Sequence, residues 1–72
     1  MTPIDNANFL IVKALRVFEK LTLDEAKKIA YLVANEVINE VELLRIDDEE
    51  YRQFVLKYWK NTKANIDKIE KI

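Results

Sequence analysis

The chain has 72 residues, half of them apolar, and a formal net charge of -1 from 12 Lys and Arg against 13 Asp and Glu. Gly, Cys and His are absent, and Ser is missing as well. These absences exclude a disulfide scaffold, an ordinary structural zinc site, glycine-rich phosphate cradles and the usual nucleophile-and-histidine pairs.

The composition therefore predicts a non-enzyme with no catalytic residue, cofactor or metal. So short a chain holds one core, and residues 1–72 read as a single helical domain. Without disulfide or metal it must rely on regular helix packing or on self-association.

The first helix is expected over roughly residues 4–20, capped by Thr2-Pro3 or by Asp5. Phe9, Leu10, Ile11, Val12, Ala14, Leu15, Val17, Phe18 and Leu21 make it apolar over most of its circumference, with Lys13, Arg16 and Lys20 as a narrow polar stripe. Two short neighbours cannot cover such a helix on all sides. The excess surface predicts a homo-oligomer, most simply a twofold dimer, with Phe9, Leu10, Val12 and Val17 in the self-association face.

The second helix is expected over roughly 23–45. Thr22 and Glu25 form a capping box, in which each side chain bonds the other's backbone amide. Ala26, Ala30, Val33, Val37, Val41 and Leu44 recur at helical spacing and predict the core stripe. Ile29, Leu32 and Ile38 fall outside it and predict a second packing partner. Glu36 and Glu40, with Asn39 and Glu42 nearby, have the spacing of a helical carboxylate pair. Dimetal bundles also need Glu-x-x-His, which is impossible here, so this reads as a solvated acidic face. Asn35 and Asn39 share that spacing. They read as surface residues, or as a register device should one face a subunit seam.

The third helix is expected over roughly 48–70, with Asp47 as N-cap and Asp48, Glu49 and Glu50 in the first turn. Tyr51, Phe54, Val55, Tyr58, Thr62, Ile66 and Ile69 share one face and predict its core side. Beyond Lys60 that face thins to Ile66, Ile69 and Ile72, too narrow for a core. This end is expected either to fray or to dock on another subunit or a target. Both connections are expected to span two or three residues. The fold class is thus all-α: an antiparallel three-helix bundle that associates as a helical dimer.

One flank of the third helix carries Arg52, Leu56, Trp59 and Lys63. Trp and Arg are enriched at binding hot spots, so this flank, with Ile66 and Ile69, is the candidate surface for an unidentified protein partner. A structural reading stands beside it, with Trp59 capping the small core and the Lys stems lying around it. Lys57, Lys60 and Lys63 beside aromatic residues open an alternative, a nucleic-acid-associated regulator. Leu21 to Ala26 looks like the opening of a DNA-binding helix-turn-helix. The helix that follows is too long and too acidic for that motif, and the balanced charge argues against a nucleic-acid partner.

No apolar run approaches a membrane span, and no leader pattern is visible, which predicts a cytoplasmic protein. Size and an Ile-, Lys-, Asn- and Glu-rich composition fit the small accessory proteins of phages and mobile elements. The expected function is a non-catalytic protein–protein interaction module, an adaptor, assembly factor or inhibitor, that also self-associates.

Overall fold

Each helix starts at a residue whose side-chain oxygen takes up a backbone amide left free by the first turn. The computed structural model describes residues 1–43 and 47–70, and among them are three α-helices and no strand. Thr2 caps α1 (Pro3–Val17). Its Oγ1 accepts from the Asp5 amide at 3.1 Å, and the Asp5 carboxylate accepts from the Thr2 amide at 3.4 Å. Before α2 (Leu23–Leu43), Glu25 donates its amide to the Thr22 hydroxyl at 3.2 Å and accepts from the Thr22 amide at 3.1 Å. α3 (Glu49–Lys68) is capped by Asp48, which accepts from the Tyr51 amide at 3.0 Å. The cap expected at Asp47 thus lies one residue later. The two aspartates are chemically equivalent, and spacing alone does not separate them.

α1 also ends at Val17, earlier than residue 20. Phe18 leaves the helix in an extended conformation while its amide still donates to the Ala14 carbonyl. A turn closed by the Leu21 amide on the Phe18 carbonyl follows, so the link is residues 18–22 and not two or three. No residue has positive φ among those described. The chain lacks glycine for a left-handed helix end, and it leaves through extended backbone instead.

Two clusters form the core. The first joins Ala7, Ile11 and Ala14 of α1 to Ala26, Ala30 and Ala34 of α2 and Ile66 of α3. The second holds Ile38 and Val41 of α2 with Leu56 of α3, edged by Val37 and Val55, and contains no residue of α1. Trp59 packs against both clusters. The stripe of α2 therefore runs through Ala34 and Ile38, not Val33 and Val37; Val33 is exposed and Val37 half-buried. Alanine lets helix backbones approach closely, whereas a scale of side-chain hydrophobicity ranks valine above it. Leu44 and Ile72 lie outside the described residues.

The end of α3 is packed rather than thinned out. Ile66 is fully buried and Ile69 lies half-buried against the first cluster. The Lys27 ammonium donates to the Asp67 carbonyl at 3.3 Å, placing the start of α2 beside the end of α3. At the opposite end, Arg52 donates to the Glu42 carbonyl at 3.0 Å. The molecule is elongated, 42 × 18 × 16 Å. No helix among the described residues is long and apolar enough to cross a membrane.

A polar pair fixes α1 on α3. The buried Asn6 amide donates to the buried Thr62 hydroxyl at 3.2 Å, and Thr62 donates to the Tyr58 carbonyl one turn back at 3.0 Å. The sequence reading passed over Asn6, because nothing in its spacing marks a core asparagine. A double-mutant cycle on Asn6→Ala and Thr62→Val, read by urea unfolding, is expected to return a coupling of about 1 kcal/mol.

The Glu25 carboxyl is held below its ordinary value of 4.5, first by the Thr22 amide, then by the Thr22 hydroxyl and by nearby Lys28. A lowered folded-state value means that the unfolded chain binds the proton more readily. The stabilisation is present above 4.5 and disappears as pH falls through the folded value. Glu25→Gln keeps the box but removes the charge. The melting-temperature gap between wild type and variant is therefore expected to hold above pH 4.5 and to close as pH falls below it, through the lowered folded-state value.

Candidate functional site

The flank of α3 read as a docking surface is turned inward, onto α2. The Arg52 guanidinium donates to the carbonyls of Glu42 and Val41, at 3.0 and 3.4 Å. These carbonyls belong to the last described turn of α2, which has no basic residue of its own. A cation from the neighbouring helix thus sits against the negative end of the helix dipole. Arg52 also bridges to Glu49 at 3.3 Å, an exposed pair that adds little. Leu56 is buried. The Lys63 ammonium lies 4.8 Å from the centroid of the Tyr31 ring on α2. Trp59, half-buried, stands edge-on to Tyr58 at 6.0 Å.

Within the chain the residues of this flank and of the isoleucine end are placed as follows. Leu56 and Ile66 are buried in the core. Arg52 and Lys63 are engaged within the chain, and Ile69 packs on the first cluster. The spacing did bring Arg52, Leu56, Trp59 and Lys63 together, but as the α2–α3 seam. Arg and Trp are as suited to joining two helices as to joining two proteins.

The face expected to be core is the one left open. Towards the end of α3, Thr62 and Ile66 of this stripe are covered by α1. At Tyr58 the cover stops: the Tyr58 hydroxyl donates to the Met1 carbonyl at 3.1 Å. Beyond that point Phe54 is 67 % exposed and Tyr51 58 %. Leu43, at the same end of the molecule, is 80 % exposed.

On α1, Phe9 and Val17 are exposed, whereas Val12 is half-buried and Leu10 packs against the first cluster. Phe9, Val12, Lys13, Arg16 and Val17 line a shallow depression of about 240 Å³, with the Lys13 ammonium 5.6 Å from the Phe9 ring centroid. On α2, Glu36, Asn39, Glu40 and Glu42 are exposed and Asn35 half-buried. No group of three or more Asp or Glu among the described residues is arranged to hold a metal ion. Lys57 and Lys60 project to solvent.

Comparison of the chain with protein-family models, curated proteins and solved structures finds no match.

Trp59 joins the two clusters and Arg52 closes the end of α2, so both are expected to act on stability. Trp59→Ala should cost about 2–4 kcal/mol, and Arg52→Ala about 1–2 kcal/mol, in chemical denaturation. Lys57→Ala, on the exposed side of the same helix, should stay within about 0.5 kcal/mol of wild type.

Proposed function

We propose that this chain is a non-catalytic protein–protein interaction module that associates with itself, built as an antiparallel three-helix bundle forming one domain in the cytoplasm. The observation that carries this reading is the distribution of apolar side chains. The core is largely alanine, with isoleucine and leucine. Phe9, Val17, Phe18, Leu32, Leu43, Tyr51 and Phe54 are instead exposed. Monomeric proteins expose single hydrophobes routinely, but clusters on successive turns of two helices mark association surfaces. Such a small core also gains from burying more surface between subunits. Phe9 and Val17 of α1 are the self-association residues that remain open to solvent, with Val12 beside them.

An adaptor, assembly factor or inhibitor needs only such surfaces and no reactive group. The nucleic-acid alternative rests on Lys57 and Lys60, because Lys63 is engaged on Tyr31. Phosphate binding through so few cations would be weak, with a shallow salt dependence set by their number.

Light scattering over a concentration series tests the proposal. The expected mass is near 17 kDa, twice the 8.5 kDa of one chain. A mass of 8.5 kDa at every concentration would refute self-association.

A further inference from the structure

The open stripe on α3 continues the surface that α1 covers. Thr62 and Ile66 lie beneath α1, Tyr58 bonds the Met1 carbonyl just ahead of it, and Tyr51 and Phe54 lie beyond that point. Those two aromatics are solvent-exposed because α1 is too short to reach them, while α2 and α3 run on. What covers them is indicated by charge. Seven acids, Glu36, Glu40, Glu42, Asp47, Asp48, Glu49 and Glu50, and two arginines give residues 36–52 a charge of -5, leaving +4 for the rest of the chain. Arg52 is engaged on the α2 carbonyls. The end bearing Tyr51, Phe54 and Leu43 is therefore acidic and apolar. The outer face of α1 is basic and apolar, through Lys13 and Arg16 beside Phe9 and Val17.

We propose that the occupant of the Tyr51/Phe54 stripe is the outer face of α1 from a second copy of this chain. The two copies lie side by side and head to tail. This rests on the self-association proposed above and names the two surfaces that meet. Joining two acidic ends, or two α1 faces, would place like charges together, which costs association free energy. The antiparallel arrangement sets each acidic end against a basic α1. A twofold axis across the long dimension of the 42 Å molecule forms that contact twice. The aromatic and aliphatic side chains supply the affinity, and the charges select the orientation.

Charge reversal tests this pairing directly, with circular dichroism to verify that each variant stays helical. Lys13→Glu/Arg16→Glu alters only the α1 face, and Asp47→Lys/Glu50→Lys only the acidic end; neither pair touches a cap or a core residue. Each double variant alone is expected to weaken the dimer at least tenfold in sedimentation equilibrium. An equimolar mixture of the two should recover a heterodimer, because both of its contacts again join opposite charges. Phe54→Ala, at an exposed position, should weaken the dimer about tenfold while leaving monomer stability unchanged.

The pairing is overturned if the wild-type dimer ignores the acidic-end substitutions. It is equally overturned if the α1 variant pairs best with wild type, as an α1-on-α1 contact requires. A wild-type chain that stays monomeric would overturn self-association itself, so the two failures are distinguishable.

Discussion

The mismatch in helix length governs the rest of this molecule. α1 has 15 residues against 21 in α2 and 20 in α3. At about 1.5 Å per residue it falls roughly one and a half turns short of its neighbours. One end of the molecule is a three-layer core and the other a two-helix seam. The first end closes over alanines and isoleucines. Among the described residues, the second has Ile38, Val41 and Leu56 between its helices, edged by Val37, Val55 and Trp59. Trp59 spans the change, touching both clusters, and Tyr58 marks it from outside through its bond to the Met1 carbonyl.

The same mismatch explains what could and could not be read from the residues. Helix starts were legible because capping is local chemistry: a hydroxyl or carboxylate three positions before a free amide. Thr22 with Glu25 needed no tertiary information. Helix phase was harder. The stripe Tyr51–Phe54–Val55–Tyr58 has the composition of a buried face, and it would be one beneath a longer α1. Whether a neighbour reaches that far is not encoded in periodicity. The flank Arg52–Leu56–Trp59–Lys63 was grouped by spacing alone, but its contacts with α2, through the α2 carbonyls and Tyr31, were not legible in it.

The alanine seam misled for a related reason. Ala26, Ala30 and Ala34 matter through the distance they permit between helices, not through the area they bury. Ranking residues by hydrophobicity moved the stripe of α2 one position towards Val33 and Val37. Asn6 was invisible because its partner Thr62 lies at the other end of the chain. A buried polar pair of this kind contributes less to gross stability than to choosing one alignment of α1 over its slipped alternatives.

That separation along the chain has a kinetic consequence. The α1–α2 link is short, so those two helices can meet soon after they form. The bonds from Asn6 to Thr62 and from Tyr58 to Met1 instead close loops of 56 and 57 positions. Loop closure costs more entropy as the loop lengthens, and distant contacts are gained late. Until α3 arrives, the alanine seam between α1 and α2 lacks Ile66 and Thr62, and the whole aromatic face of α3 is bare. On a ribosome, α3 also emerges after α1 and α2. Folding and first exposure of the Tyr51/Phe54 surface are thus a single late event, so a chain cut before α3 would lack both its third layer and its acidic, aromatic end.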